Sequence, residues 1–112
     1  GFVAENILLD RLRVFYWDQI SQLPETAYLL DVRTIAEFEA GHIPTAVNIP
    51  VDEIRDRMQE IPTNRPIYIY CEAGLRGYLA QRILRQSGYE TVANLSGGYI
   101  SWKAAHQEMQ LL

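Results

Sequence analysis

The sequence predicts an α/β fold, with a central, five-stranded, mainly parallel sheet and helices on both of its faces. Apolar runs of strand length alternate with segments of helical spacing along the 112 residues. The connections are short enough to join only neighbouring elements. The run Ala27–Val32 is polar only at its end, which is typical of a strand buried on both faces of a parallel sheet.

Strands are predicted where short apolar or β-branched runs are bounded by proline, glycine or polar residues. The clearest run is IYIY, which Pro66 introduces and Cys71 follows at once. The five predicted strands are Val14–Tyr16, Ala27–Val32, Ala46–Ile49, Ile67–Tyr70 and Thr91–Leu95.

Helices are predicted between these strands from the spacing of apolar residues. Asp18 is the expected N-cap of the first helix, and Gly41 is the expected end of the second. In the fourth helix, Leu79, Ile83 and Leu84 form the expected apolar face. The predicted helices are Asp18–Leu23, Ile35–Ala40, Asp52–Glu60, Tyr78–Gln86 and Tyr99–Gln107.

Composition narrows the possible functions. With 48% hydrophobic and 21% charged residues, the chain fits one globular domain rather than a disordered segment. A formal charge of −4 and scattered basic residues argue against nucleic acid as a partner. We find neither an apolar run of membrane-spanning length nor a signal peptide, so we expect a cytoplasmic location and no membrane partner. One cysteine and two histidines make a poor zinc set, and no metal is expected.

The single cysteine, Cys71, has two possible roles: a reactive thiol or a small apolar core residue. It follows the best predicted strand, and ligands bind at the carboxyl ends of such strands. Gly74 and Gly77 give the short following loop backbone freedom, so its N–H groups can turn inward and favour an anion. This placement favours a reactive thiolate or persulfide.

Four ordered motifs resemble those of the rhodanese family. The segment Cys71–Arg76 is similar to the six-residue active-site loop C-x-x-G-x-R, and Asp31–Arg33 matches the family's DVR. The segment Glu37–Pro50 resembles E-[FY]-x-x-G-H-I-P and its continuation, and Asn94–Trp102 resembles the L-x-G-G-x-x-x-W segment near the end of the domain. The resemblance implies a rhodanese-like fold and a sulfurtransferase with no bound cofactor.

The resemblance also implies a role for each loop residue. Cys71 would be the nucleophile that accepts sulfane sulfur from a small sulfur-containing substrate and holds it as a persulfide. The backbone of the next five residues would form an anion cradle, and the Arg76 side chain would help to hold the anion. The cradle residues are Glu72, Ala73, Gly74, Leu75 and Arg76.

Three further residues support this loop by resemblance. Asp31 and Arg33 match positions that brace the loop, and the alternative is a structural ion pair, with Glu37 as the expected partner of Arg33. His42 either donates to the site or fixes the turn before Pro44, and we favour the turn.

Two positions depart from the family pattern. Thr45 replaces the glycine that usually follows H-I-P, which can alter a turn. Glu72 places a carboxylate directly after the cysteine, where it would oppose a dianion such as thiosulfate if it faced the pocket. The candidate donors are thiosulfate, polysulfide and a CoA persulfide, and we do not expect thiosulfate to be the physiological one.

The first eight residues, GFVAENIL, resemble the end of flavoprotein disulfide reductases that carry a C-terminal rhodanese domain. This resemblance suggests a reductase domain in the same parent chain as a partner. The expected organisation is a linker over 1–13, the rhodanese domain over 14–108 and a tail over 109–112.

Two other functions remain open. Cysteine phosphatases share the fold but use a longer loop, C-x5-R, whereas this loop is C-x4-R and too small for a tetrahedral phosphate. Some rhodanese-like domains are docking modules that have lost the cysteine, whereas this chain retains Cys71 and Arg76.

Overall fold

The computed structural model describes residues 13–111, with the backbone alone from residue 108 onward. The expected resemblance of residues 1–8 to the end of a reductase therefore lies outside the described part of the chain. Among residues 13–111, no helix is long and apolar enough to cross a membrane.

The centre of the molecule is a parallel sheet of five strands in the order β1-β5-β4-β2-β3. Every pairing between neighbouring strands is parallel, as the sequence predicted. Asp31 pairs with Tyr70, so the ends of β2 and β4 lie side by side at the carboxyl edge of the sheet. The strands are β1 (Val14–Phe15), β2 (Tyr28–Asp31), β3 (Val47–Asn48), β4 (Ile67–Tyr70) and β5 (Val92–Leu95).

The part of the chain that the structure describes contains α-helices and short 3-10 helices. The α-helices are α1 (Ile35–Ala40), α2 (Leu75–Gln86) and α3 (Gly98–Leu111). The 3-10 helices are Trp17–Gln22, Val51–Glu53 and Met58–Glu60. Helix α1 has the predicted bounds, whereas α2 begins three residues before the prediction and α3 continues beyond it.

Two predicted helices differ from the structure. The predicted helix Asp52–Glu60 is interrupted, because two 3-10 helices with a turn between them replace it. The N-cap of the first 3-10 helix is Tyr16 rather than Asp18, since the side chain of Gln19 accepts a hydrogen bond from the Tyr16 N–H at 2.8 Å. The prediction for Asp18 was wrong.

The helices cover two cores on opposite faces of the sheet. Side chains alternate along β4, so Ile67 and Ile69 point to the α2 face, while Tyr68 and Tyr70 point to the α3 face. Cys71 continues this alternation and lies in the α2 core. The nucleophile candidate is therefore packed under the start of α2.

The buried side of α2 differs from the predicted apolar face. Leu79 is 46% exposed, which corrects its assignment to the core. The buried residues of α2 are Gly77, Ala80, Gln81 and Leu84. Of the three residues predicted for the apolar face, Leu84 is buried, Ile83 is half-buried and Leu79 is exposed, while two small residues bring the helix close to β5.

Candidate functional site

Cys71 lies at the carboxyl end of β4 and is only 1% exposed. Its Sγ accepts a hydrogen bond from the Gly74 N–H at 2.9 Å. Gly74 has φ of 122°, a conformation that favours glycine, and α2 begins at the next residue. Of the predicted cradle, the amide of Gly74 is the one that contacts the sulfur.

The loop has an apolar, exposed rim. Leu75 is 73% exposed, although it is the first residue of α2, and Ala73 is also exposed. Glu72, Gly74 and Arg76 are half-buried beneath this rim. The sulfur therefore lies at the bottom of a small loop rather than on the surface.

The start of α3 holds the other side of the loop. The N–H groups of Tyr99 and Ile100 donate to the carbonyls of Cys71 and Glu72, at 2.8 and 3.1 Å. At Gly98 a Cβ atom would lie 2.5 Å from the Glu72 carbonyl oxygen and 2.6 Å from that of Cys71. The loop and α3 approach this closely because residue 98 has no side chain.

Asp31 and Arg33 form a buried ion pair beside the loop. Arg33, which is 2% exposed, donates to Asp31 from Nε and from Nη2, the latter at 2.7 Å. Burial disfavours the charged guanidinium, but its hydrogen bonds to Asp31 outweigh this effect and raise the pKa of Arg33. The predicted pairing of Arg33 with Glu37 was wrong, because Asp31 is the partner.

Arg33 also connects several parts of the fold. Its Nη2 donates to the Gly41 carbonyl at 2.8 Å, and its Nη1 lies 3.3 Å from an oxygen of Glu72. The guanidinium carbon is 4.2 Å from the ring centre of Tyr99. Arg33 therefore contacts the end of α1, the loop and the start of α3.

Glu37, which the sequence analysis considered only as a partner for Arg33, contacts Arg76 instead. Both oxygens of Glu37 accept hydrogen bonds from Arg76, at 2.7 and 2.9 Å. The Arg76 hydrogen bonds are the main cause that lowers the pKa of Glu37 to about 2, and burial opposes them. Glu37 also caps α1 through Thr34, so the pair joins α1 to the loop. Glu37 follows the N-cap residue Thr34 by three positions, and this capping-box spacing is a signal in the sequence that the analysis did not use.

The charges around the loop sum to a net negative value. Three carboxylates (Asp31, Glu37 and Glu72) face two guanidinium groups (Arg33 and Arg76). Each arginine contacts at least one carboxylate. The Glu72 carboxylate is 38% exposed and leans toward Arg33.

His42 lies on the outside of α1. Its ring stacks on Phe38 at 3.7 Å between centres, and Nδ1 is 2.9 Å from the Phe38 carbonyl oxygen. The backbone N–H of the next residue, Ile43, donates to the Tyr70 hydroxyl at 3.1 Å. The contacts of His42 and Ile43 thus tie the segment before Pro44 to Phe38 and Tyr70.

A cleft of about 980 Å³ lies apart from the loop, between the first 3-10 helix, β2 and α3. Trp17 and Trp102 are among its lining residues, and Cys71 is not. Among residues 13–111, no three His, Cys, Asp or Glu side chains group as they would around a metal ion.

The comparisons with known proteins agree with this geometry. A family model described as a rhodanese-like domain matches residues 16–105. A sulfurtransferase of Allochromatium vinosum is 47% identical over 78 residues, which cover 70% of this chain and 73% of that protein. Two Bacillus subtilis relatives are longer, with 60% and 42% of their lengths covered.

Two similar solved structures contain the matching domain as a small part of a longer chain. Reduced CoADR-RHD of Bacillus anthracis has a TM-score of 0.84 and 39% identity, over 96% of this chain and 19% of that one. A NAD-dependent persulfide reductase from A. fulgidus has a TM-score of 0.70 and 33% identity, over 89% of this chain and 17% of that one.

Proposed function

Because the chain belongs to the rhodanese-like domain family, we propose that it is a sulfurtransferase that carries sulfane sulfur as a persulfide on Cys71. The observation that carries the proposal is the hydrogen bond from the Gly74 N–H to Cys71 Sγ. A donor aimed at the sulfur stabilises an anion at that position. It favours both the thiolate nucleophile and the persulfide product.

The proposed reaction has two steps. The Cys71 thiolate attacks the terminal sulfur of a persulfide or polysulfide donor, and the donor's sulfur–sulfur bond breaks with its electron pair leaving on the donor thiolate. An acceptor thiolate then attacks the outer sulfur of the Cys71 persulfide and releases the Cys71 thiolate. Each step exchanges one sulfur–sulfur bond for another, so neither needs an outside oxidant or reductant.

The charges at the loop support a donor that is not a dianion. The Arg76 side chain, expected from the sequence to hold the anion, is paired with Glu37, and Arg33 is paired with Asp31. We propose that backbone amides hold the persulfide, while Arg76 holds the loop. Thiosulfate carries two negative charges and would then lie near the Glu72 carboxylate. Both nearby guanidinium groups are already paired with carboxylates, so neither would offset this repulsion.

Exposure of the protein to thiosulfate, polysulfide and CoA persulfide in turn tests the proposal by intact mass. We expect a gain of one sulfur with the last two reagents, and none in Cys71→Ser. No gain with any reagent would contradict the sulfurtransferase function. Thiocyanate formation from cyanide then distinguishes a transferase from a docking module.

The donor preference has its own test in Glu72→Gln. Removal of this charge is expected to improve the apparent affinity for thiosulfate about 3- to 10-fold, as loss of a nearby like charge does at intermediate dielectric. Glu53→Gln is the matched control, because it also removes a carboxylate that pairs with an arginine, Arg57, but lies outside the loop. An unchanged affinity in Glu72→Gln would show that the carboxylate does not select the donor.

The two structural neighbours support a reductase partner. CoADR-RHD and the persulfide reductase both join a domain of this kind to a much longer chain. We propose that Cys71 exchanges sulfur with such a reductase, either fused to this domain or separate from it. The mass of the parent protein in its source cells tests fusion, and a mass matching 112 residues would contradict it.

A further inference from the structure

The conformation of Gly74 is set by its hydrogen bonds. Glycine has the widest backbone freedom of all residues, so its own sterics do not hold it at φ of 122°. No neighbouring group crowds the side-chain position either, because a Cβ atom there would meet nothing within 4 Å. The direction of the Gly74 N–H toward Cys71 therefore depends on the groups that bind the Gly74 peptide units.

Asn94 provides one of these groups. It lies in β5, is 7% exposed, and donates from Nδ2 to the Gly74 carbonyl at 2.9 Å. The Tyr78 N–H donates to the same carbonyl at 3.0 Å, as part of the first turn of α2. The amide of Asn94 reaches this place because residue 77 is glycine, where a Cβ atom would lie only 2.1 Å from Asn94 Oδ1.

The other end of the same amide is not satisfied. Asn94 Oδ1 is buried and finds no hydrogen-bond partner among residues 13–111. The amide cannot turn over to correct this, since only the nitrogen can donate to the Gly74 carbonyl. A buried acceptor without a partner lowers stability, so an apolar side chain of similar size would suit the fold better. Asn94 is thus better explained by its contact with Gly74 than by packing.

We propose that Asn94 is a positioning residue for the sulfur chemistry: it holds the Gly74 carbonyl and so aims the Gly74 N–H at Cys71 Sγ. The proposal rests on the proposed function, because the aimed N–H is the one that stabilises the thiolate and the persulfide. Asn94 acts through Gly74. Sequence analysis named Asn94 only as the start of a motif and gave it no role, although a polar residue inside a buried strand was a signal.

The test is the substitution Asn94→Leu in the 112-residue chain. The variant removes the donor and the unpaired oxygen together, so we expect the urea midpoint to be unchanged or higher. We expect the rate of Cys71 alkylation by iodoacetamide at neutral pH to fall about tenfold, the factor that corresponds to one aligned hydrogen bond. The midpoint of the pH–rate profile for alkylation is expected to move to higher pH. The charged groups beside the loop are the same in the parent and the variant; they are Glu72, Arg76, Arg33, Asp31 and Glu37.

Gln81→Met is the matched control. Gln81 is also a buried amide at the contact of α2 with β5, but it donates to the carbonyls of Arg13 and Val92, away from the loop. We expect this variant to lose stability and to keep its alkylation rate. Alkylation within twofold of the parent rate in Asn94→Leu, or an equal fall in Gln81→Met, would overturn the proposal.

A measurement on the unaltered protein covers the case in which Asn94→Leu does not fold. The side-chain NH₂ signals of Asn94 in an NMR spectrum are expected to shift when Cys71 is alkylated, and unmoved signals would contradict the coupling. Alkylation needs no sulfur donor. Failure of the persulfide to form would therefore count against the proposed function and leave the role of Asn94 in thiol reactivity standing.

Discussion

At position 98 the backbone has φ of 65° and lies against the carbonyl groups of Cys71 and Glu72. Two N–H groups of the following turn bind these carbonyls. The site therefore depends on a residue that carries no functional group. Its contribution is the space that lets α3 approach the Cys71–Arg76 loop.

Gly98→Ala is expected to lower the free energy of unfolding by about 3 kcal/mol and to reduce sulfur uptake by Cys71. The φ angle alone accounts for about 1 kcal/mol, and displacement of the two carbonyls accounts for the rest. Gly88→Ala is the control, because Gly88 has φ of 98° with nothing within 4 Å of a Cβ atom. Urea titrations that give equal losses in the two variants would show that the close approach does not matter.

The position of Cys71 directly after β4 was predicted from the sequence, whereas several contacts around its loop were not. Cys71 was predicted because its position after a buried strand is a local property of the chain. The contact between Asn94 and Gly74 joins residues 20 apart, and that between Arg76 and Glu37 joins residues 39 apart. Such pairings depend on how α1, α2 and β5 pack against one another. The spacing of residues along the chain does not encode that packing.

At the scale of elements, helix α1 and the loop are joined by the Glu37–Arg76 pair. The Arg76 guanidinium holds the pKa of Glu37 at about 2, below its ordinary value of 4.5. Because the pKa is depressed in the folded state, the stabilisation is present in full above the ordinary value. It is lost as the pH falls from about 5 toward 2.

Glu37→Gln is therefore expected to flatten the acid part of the stability curve. The melting temperature of the parent protein should fall more steeply between pH 5 and pH 2 than that of the variant. At neutral pH the variant should lose about 1 kcal/mol and react more slowly at Cys71, since α1 no longer holds the loop. Glu60→Gln, in an exposed pair with Arg57, should leave Cys71 reactivity unchanged. Parallel acid curves for the parent and Glu37→Gln would contradict this assignment.

The elements themselves were predicted to different degrees. Strand β4 and helix α1 have the predicted bounds, because proline, glycine and capping residues mark their ends. The segment Asp52–Glu60 has helical spacing but folds as two 3-10 helices with a turn between them, and Ile54 and Ile61 still lie in the α2 core. Leu79 has the right spacing for the core and is exposed, because α2 meets the sheet through smaller residues.

At the scale of the whole molecule, Arg33 links elements that are far apart in the sequence. It binds the end of β2 through Asp31, the end of α1 through Gly41 and the loop after Cys71 through Glu72. Its guanidinium also lies over the Tyr99 ring at the start of α3. Four parts of the fold thus share one buried cation, on the opposite face of the sheet from Cys71.

Arg33→Met should destabilise the whole domain, because it leaves the Asp31 carboxylate buried without its partner. Loss of one member of a buried pair costs about 3–5 kcal/mol, whereas replacement of both members by apolar residues costs much less. Urea titration is therefore expected to show a large loss in Arg33→Met and a partial recovery in the double variant Asp31→Leu/Arg33→Met. The exposed Arg57→Met is the control and should leave the urea midpoint nearly unchanged. A double variant less stable than Arg33→Met would mean that the pair is needed for its links to Gly41, Glu72 and Tyr99 rather than to neutralise Asp31.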